Sequence, residues 1–201
     1  MARNCVASID LSAIKKNYLY AKSLAPKSNA IAVIKANAYG HGAIKVASHL
    51  ETSADCFGVA CIEEALDLTN AGILTAPILL LEGVFEESEL SLVDRNSFWM
   101  VVCNTAQIEW ILKSKPTNKY DIFVKIDTGM GRLGFQEEDS IKVISALEKS
   151  NNVRKITLMT HFSSADNQGS DSTKTQINKF NQIIETKQND QSLSNSAAIM
   201  S

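Results

Sequence analysis

Short apolar segments alternate along the chain with longer segments whose apolar positions repeat with a helical period. The apolar segments are almost continuous, which is the pattern of strands covered on both faces in a parallel sheet. Strands are predicted at 30–34, 56–60, 78–81, 98–103, 122–126 and 156–159, with a weaker seventh at 193–198. Helices are predicted at 11–24, 43–50, 62–70, 86–93, 105–113, 137–149 and 172–188. This repeated strand–helix order predicts an α/β fold.

Two α/β architectures fit this order, a doubly wound open sheet and a (β/α)8 TIM-type barrel. The chain has no linker or break in composition, so one domain over residues 1–201 is expected. A complete eight-stranded barrel of typical size needs about 250 residues. If the fold is a barrel, a length of 201 residues therefore predicts an incomplete one of about seven βα units.

The composition argues against several classes of protein and of binding partner. With 45% hydrophobic and 21% charged residues, the chain is expected to be globular rather than disordered. A net charge of −2 without a basic stretch argues against nucleic acid as a partner. No apolar run approaches the ~20 residues of a membrane span, and residues 1–17 lack the apolar core of a signal peptide, so a cytoplasmic protein is expected. The cysteines and histidines lack metal-ligand spacing, so no metal site is predicted and the cysteines are interpreted as small buried side chains.

A lysine directly follows the first predicted strand. Lys35 comes after five apolar residues, and ligands of parallel α/β proteins bind at the C-terminal ends of the strands. Burial there would favour the neutral amine, which is a nucleophile toward a carbonyl group and forms a Schiff base. The alternative is a lysine whose charged end reaches solvent past the strand end. Two glycines, Tyr39 and His41 follow within seven residues, which favours a tight polar loop.

A glycine-rich loop follows the fifth predicted strand. Gly129, Gly131 and Gly134 have the spacing of a dinucleotide-binding loop, but they follow the fifth strand rather than the first, and no acid ends the next strand. The loop is better interpreted as one that presents Arg132 to a carboxylate or a phosphate.

Polar residues also accompany the last two predicted strands. His161 follows the sixth strand, and Asn195 and Ser196 lie in the weak seventh segment, where small polar groups and free backbone N–H groups suit a phosphate. A strand-end lysine, an arginine, a histidine and a phosphate cradle together predict an aldehyde cofactor that carries a phosphate. Pyridoxal 5′-phosphate is the obvious candidate.

Four segments of the sequence resemble motifs of the alanine racemase family. They are AVIKANAYGHG (32–42), KIDTGMGRLGF (125–135), THFSSAD (160–166) and SNSAA (194–198). The first two are long and specific, and the last two are supportive. The resemblance covers essentially the whole chain and implies a pyridoxal-phosphate-dependent isomerase. Such an enzyme interconverts L-alanine and D-alanine by two-base proton transfer and supplies D-alanine for peptidoglycan.

The resemblance implies roles for residues of the first and last motifs. Lys35 would carry the cofactor as a Schiff base and act as the base on the D-alanine face. Tyr39 and Ser196 would contact the cofactor phosphate, with Asn195 beside them. Ser194 departs from the family, which usually has alanine at this position.

The middle motifs carry further implied roles. Arg132 would contact the phenolic oxygen of the cofactor and the carboxylate of the substrate, and His161 would lie against the cofactor ring. Lys125 matches the lysine that some family members carry in carbamylated form, where it orients the arginine.

The family also implies parts beyond these motifs. The chain is expected to be truncated after about the seventh strand, so that the eighth strand and the C-terminal β domain are absent. Residues 1–10 are expected to form a strand that pairs with that domain. The tyrosine base on the opposite face belongs to the partner subunit of the family's homodimer, so the isolated chain is expected to be inactive. The alternatives are a non-catalytic, single-barrel pyridoxal-phosphate-binding protein of cofactor homeostasis and an inactive fragment of a racemase of another amino acid, such as serine.

Overall fold

A computed structural model describes residues 5–185 and 187–201 of the chain. Its strands are β1 (Ile31–Val33), β2 (Cys56–Val59), β3 (Ile78–Leu80), β4 (Trp99–Val102), β5 (Tyr120–Lys125), β6 (Val153–Met159) and β7 (Asp190–Ser192). Its helices are α1 (Leu11–Leu24), α2 (Lys35–Tyr39), α3 (Ala43–Leu50), α4 (Ile62–Asn70), α5 (Leu90–Asn96), α6 (Thr105–Lys113), α7 (Glu137–Glu148), α8 (Ser172–Ile184) and α9 (Ser196–Met200). A 3-10 turn at Glu87–Glu89 precedes α5.

The strands form one parallel sheet whose spatial order follows the sequence from β1 to β7. A doubly wound sheet reverses its strand order at a switch point. The sequential order therefore identifies the barrel among the two predicted architectures. The sheet curls into an incomplete barrel, and the C-terminal ends of its strands meet at one edge.

The two faces of the sheet are packed differently, because successive side chains of a strand point to opposite sides. The outer face and the helices share the larger apolar core, whose fully buried members include Leu68, Met100, Ile122, Ile144 and Phe180. The inner face carries a smaller cluster of Cys56, Leu79, Val101, Cys103, Phe123 and Met159. Two of its members, Cys103 and Met159, lie at the C-terminal strand ends.

Most of the predicted elements are confirmed with boundaries that differ by a few residues, but the seventh strand is wrong. The strand lies at Asp190–Ser192, and the predicted segment 193–198 instead contains a loop and the start of α9. Among the strands that the structure describes, β7 pairs with β6 alone and is partly exposed, so it need not be apolar. The predicted helix 172–188 ends earlier, at Ile184, and residue 186 lies outside the described residues.

The N-terminal segment enters α1 through a capping residue. The Asp10 carboxylate accepts a hydrogen bond from the backbone N–H of Ala13 at 3.0 Å. Residues 1–4 of the predicted strand 1–10 lie outside the described residues, and residues 5–10 are in neither a helix nor a strand. The pairing of this segment with a C-terminal domain stays a prediction.

The cysteines form no disulfide. Cys56 and Cys103 are buried, and burial raises the pKa of the Cys56 thiol to about 12, so it is chemically inert at neutral pH. In the described ranges, no helix is both long and apolar enough to cross a membrane. The same residues contain no cluster of three or more His, Cys, Asp or Glu side chains that could hold a metal ion.

Candidate functional site

Three of the sequence-predicted residues lie on the inner face of the barrel at the C-terminal strand ends. Phe123 and Met159 belong to the inner cluster. Lys125 and His161 come two residues after them and therefore point to the same side. Lys35 directly follows β1 as the first residue of α2, and its charge acts on both Lys125 and His161, so it lies at the same end of the barrel. The topology thus brings together side chains from β1, β5 and β6.

Lys35 opens a turn of unusual handedness. The residues from Ala36 to Tyr39 all have φ between 51° and 54°, with ψ near 45–50° where it is given, which is the left-handed helical region. L-residues other than Gly and Asn seldom adopt this conformation, because Cβ crowds the backbone. Sequence analysis predicted a tight polar loop here but not its handedness.

A carboxylate that sequence analysis missed anchors this turn. Glu64, in the first turn of α4, accepts one hydrogen bond from the Ala36 N–H (2.7 Å) and one from the Ala60 N–H (2.8 Å). It therefore joins the chain just after Lys35 to the end of β2. Asn37 fixes the other side of the turn, since its Oδ1 accepts from the N–H of Ala43 at the start of α3 (2.8 Å).

The tyrosine of this turn faces outward. The Tyr39 side chain is 62% exposed, so its hydroxyl is free to meet a ligand at the rim of the barrel. The neighbouring His41 is bound internally, since its Nδ1 lies 2.7 Å from the Ala38 carbonyl oxygen.

The loop that carries Arg132 is organised by Asp127. The Asp127 carboxylate accepts hydrogen bonds from the N–H groups of Gly129 (3.0 Å) and Gly131 (3.1 Å) and from the Gln136 side chain (3.3 Å). Burial disfavours the charged carboxylate, but the hydrogen bonds outweigh burial and lower the pKa of Asp127. The glycine amides are thus occupied by an internal anion rather than open to a dinucleotide phosphate, which agrees with the rejection of that motif.

The same loop returns to the end of β5. Phe135 N–H donates to the Lys125 carbonyl and the Asp127 N–H donates to the Phe135 carbonyl, both at 2.9 Å. Gly134 makes this approach possible, because a Cβ there would lie 2.9 Å from backbone atoms of Lys125 and Asp127. The Arg132 side chain therefore projects, exposed, from a loop that is closed at its base.

The site is strongly cationic. Burial lowers the pKa of Lys125, and the charges of Arg132 and Lys35 lower it further, against opposing effects of Cys103 and Glu82. Lys125 itself is only 8% exposed. The charged ammonium form of Lys125 is therefore destabilised, and an anion bound nearby would stabilise it.

His161 belongs to the same electrostatic cluster. Burial lowers the pKa of its imidazole, and so do the charges of Lys125, Arg132 and Lys35. Within the described part of the chain, none of these four groups forms a salt bridge with a carboxylate. Four cationic or basic groups without acidic partners form a site for an anionic ligand.

Asn195 and Ser196 stand at the start of α9, next to the end of β6. Asn195 uses both ends of its amide: Oδ1 accepts from the Ala198 N–H (3.1 Å) and Nδ2 donates to the Phe162 carbonyl (3.2 Å). Its role is therefore to cap α9 and hold it against the loop that follows His161. Ser196 is exposed, and its hydroxyl remains available.

Two other tyrosines lie at the opposite end of the sheet. The Tyr18 hydroxyl donates to the carbonyl of Ala30, just before β1 (2.8 Å), and Tyr120 is the first residue of β5. Neither side chain is positioned to act at the C-terminal strand ends.

Comparisons with known proteins agree with this architecture. The family described as "Alanine racemase, N-terminal domain" matches residues 9–201. A catabolic alanine racemase of Pseudomonas putida is 44% identical over 194 residues, which cover 96% of this chain and 54% of the relative. An alanine racemase of Coxiella burnetii is 42% identical over 192 residues, covering 95% of this chain and 52% of the relative.

Solved structures give the same result. The crystal structure of the biosynthetic alanine racemase from Pseudomonas aeruginosa superposes with a TM-score of 0.91 at 39% identity, covering 95% of this chain and 53% of that one. The enzyme from Acinetobacter baumannii gives 0.88 at 35% identity, with coverages of 96% and 54%. The chain thus spans about half the length of the curated relatives it matches.

Proposed function

Because the chain belongs to the family of alanine racemase N-terminal domains, we propose that it forms the part of an amino-acid racemase that holds pyridoxal 5′-phosphate and binds the substrate carboxylate. The proposed substrates are L-alanine and D-alanine. One observation carries the proposal: Lys35, Lys125, Arg132 and His161 converge at one end of a parallel barrel without acidic partners among the described residues. This donor set suits a ligand with a phosphate, a phenolate and a carboxylate.

Lys35 is the proposed attachment point of the cofactor and one of the two proton-transferring groups. It supplies a primary amine at the end of β1, on a backbone that Glu64 holds against β2. When bound, pyridoxal phosphate supplies an electron sink for the negative charge that develops at the substrate α-carbon. Once the substrate has taken its place, the Lys35 amine takes or returns the α-proton on one face.

Arg132 and His161 are proposed to orient substrate and cofactor. The Arg132 guanidinium, on the loop held by Asp127, binds the substrate carboxylate with two parallel hydrogen bonds and contacts the phenolic oxygen of the cofactor. Because its pKa is lowered, His161 presents a flat neutral ring near neutral pH, which is suited to lying against the cofactor ring.

The phosphate is proposed to lie between Tyr39 and Ser196, at the rim of the barrel. Both side chains are exposed and carry free hydroxyl groups. Asn195 supports this contact indirectly by capping α9, since its own amide is engaged.

Lys125 is a proposed site of carbamylation. Its lowered pKa increases the neutral fraction of the amine, and the neutral lone pair is what attacks the carbon of CO2. The new N–C bond forms with release of one proton, and the product is a carbamate anion beside Arg132 that orients the guanidinium. Intact mass spectrometry tests this step: an added CO2 that is lost on acidification supports it, and an unmodified Lys125 in CO2-saturated buffer contradicts it.

The proposal extends to the whole protein. By analogy with the family, the second proton-transferring group is proposed to be a tyrosine of a partner subunit in a homodimer. In this chain, Tyr18 and Tyr120 lie at the other end of the sheet. The isolated 201-residue chain is therefore proposed to racemise alanine negligibly. In the cell, a cytoplasmic enzyme of this kind would supply D-alanine for peptidoglycan.

Covalent labelling of one lysine tests the proposed function. Mixing the protein with pyridoxal phosphate and reducing it with borohydride should label the Lys35 peptide, and Lys35→Ala should abolish both the label and the visible absorbance of the bound cofactor. Lys45→Ala, which removes an exposed lysine of α3, is the matched control and should retain both. Equal labelling of the wild type and Lys35→Ala would overturn the proposal.

A further inference from the structure

A buried amide on α8 connects two of the strand ends that form the site. Gln176 is 2% exposed. Its Nε2 donates to the Thr128 hydroxyl (3.2 Å), just past β5, and to the His161 carbonyl (3.0 Å), just past β6. Its Oε1 accepts from the N–H (3.0 Å) and the hydroxyl (3.2 Å) of Ser163. A side-chain amide has two donor hydrogens and two acceptor sites, so Gln176 uses its full capacity.

The hydrogen bonds continue from Gln176 in a defined direction. The Thr160 hydroxyl donates its proton to the Ile126 carbonyl (2.9 Å), so it can only accept from the Thr128 hydroxyl, 2.7 Å away. The Thr128 hydroxyl in turn accepts from Gln176. The order is therefore Gln176 to Thr128 to Thr160 to the carbonyl of Ile126, the first residue after β5. Both threonines are 3% exposed, so the chain is shielded from water.

This chain of bonds ends directly beside the groups that act on the ligand. Ile126 precedes Asp127, which holds the Arg132 loop, and the His161 carbonyl belongs to the residue proposed to lie against the cofactor. A buried amide is costly unless every bond is made. The amide is thus explained by what it connects rather than by packing.

We propose that Gln176 is a positioning residue that fixes His161 and the Arg132 loop relative to each other through the buried Thr128–Thr160 hydroxyl chain. The inference rests on the proposed function only where it names pyridoxal phosphate as the ligand. Gln176 is 2% exposed and is proposed to act through its hydrogen-bond partners rather than by contact with the ligand.

Matched substitutions separate the hydrogen bonds from the packing. Thr128→Val removes the hydroxyl and keeps the shape, while Thr128→Ser keeps the hydroxyl. Gln176→Met keeps the length of the side chain and removes all four hydrogen bonds. Asn152→Leu is the control for losing the hydrogen bonds of a side-chain amide elsewhere in the protein. Asn152 donates hydrogen bonds to the Ile111 and Ser114 carbonyls at the opposite end of the sheet.

Two readouts report on the site rather than on stability. The first is the dissociation constant and visible circular dichroism of bound pyridoxal phosphate, which reports ring orientation. Thr128→Val should weaken binding about tenfold, the effect of about one lost buried hydrogen bond, and Gln176→Met, which loses four, should weaken it at least as much. Both should alter the dichroism. Thr128→Ser should restore both, and Asn152→Leu should lower Tm without changing either.

The second readout needs no cofactor. The chain has three histidines, so the ring resonances of His161 can be assigned with His161→Gln and titrated by NMR. In the wild type the pKa of His161 should lie below 6.5. In Thr128→Val and Gln176→Met it should move toward 6.5, as the ring becomes less buried and moves away from Lys125 and Arg132. Asn152→Leu should leave the titration unchanged.

The two readouts distinguish the proposed function from the positioning role of Gln176. A wild type that binds no pyridoxal phosphate would contradict the proposed function, while the NMR titration would still decide the role of Gln176. Variants of Gln176 and Thr128 that lose stability like Asn152→Leu, but keep the wild-type His161 titration, would refute the positioning role.

Discussion

Replacing Asp127 by Asn should loosen the arginine loop while keeping its size. The carboxylate accepts hydrogen bonds from three groups: the Gly129 N–H, the Gly131 N–H and the Gln136 side-chain amide. The Gly131 N–H lies within hydrogen-bond distance of both carboxylate oxygens. Asn retains one oxygen for the glycines but turns an NH2 group toward Gln136 and removes the negative charge. Two donors then face each other in a site that is 8% exposed.

The magnitude follows from these contacts. A hydrogen bond to a charged group contributes about 1.5–3 kcal/mol, and Asp127→Asn loses the charge together with one of the two acceptor atoms. A loss of roughly 2–3 kcal/mol is expected, which shifts the urea midpoint by about 1 M. Because the loop presents Arg132, the dissociation constant for pyridoxal phosphate should rise about tenfold.

Asp94 provides a matched control for this experiment. Its carboxylate also accepts two backbone N–H bonds, from Thr117 and Asn118, both at 2.8 Å, but it holds the loop before β5 at the opposite end of the sheet. Urea unfolding and cofactor titration of both variants give the comparison. Asp94→Asn should lose stability and keep the cofactor affinity. Equal cofactor affinities for Asp127→Asn and Asp94→Asn would refute the reasoning that the carboxylate acts through the arginine loop.

Three further predictions address the backbone, the core and acid stability. In urea unfolding, Gly134→Ala should lower the free energy of unfolding by more than about 3 kcal/mol, because the added Cβ would lie 2.9 Å from two backbone atoms at the end of β5. The matched control Gly72→Ala, whose Cβ would meet no atom within 4 Å, should lower it by about 1 kcal/mol. Met100→Ala should lower stability by about 2–5 kcal/mol in thermal unfolding, since the side chain is fully buried, and a smaller loss would indicate that the core collapses around the cavity. Because the pKa of His161 is lowered in the folded protein, the unfolded chain takes up a proton first as the pH falls through 6.5. The free energy of unfolding should therefore fall on acidification, and it should fall less in His161→Gln. Parallel pH profiles of stability for the two proteins would contradict this.

The regular parts of the fold were predictable because their pattern is local. Helices α1, α4 and α6 begin and end at the predicted residues, where Asp10 and Asn104 provide caps. β7 was not predictable from hydrophobicity, since its three residues are polar and gain their strand conformation from pairing with β6. The left-handed turn after Lys35 contradicts the local preferences of its alanines and tyrosine, so only the surrounding structure specifies it.

The functional site also contains some residues that the sequence could predict and others that it could not. The lysine, the arginine and the histidine could be found because Lys35 directly follows a predicted strand, His161 comes two residues after another, and Arg132 lies in the glycine-rich loop after a third. The buried polar supports could not, because their partners are distant in sequence: Glu64 acts 28 residues from Ala36, and Gln176 acts 48 residues from Thr128. A signal existed for Gln176, because it lies four residues before Phe180 and therefore shares the buried face of α8. Asp127 also had a signal, because an Asp before Thr-Gly favours a turn closed by its own side chain.

The left-handed turn also determines when during folding the site is formed. Four consecutive residues in this conformation cost about 1–2 kcal/mol each, together about 4–8 kcal/mol, against a typical net domain stability of about 5–15 kcal/mol. The unfolded chain therefore does not populate the turn, and Glu64 can support it only after α4 has docked on the sheet. Interactions that form after the transition state affect the unfolding rate and leave the refolding rate almost unchanged. Removing the Glu64 carboxylate should therefore accelerate unfolding alone, and Lys35 should reach its final orientation in the last step of folding.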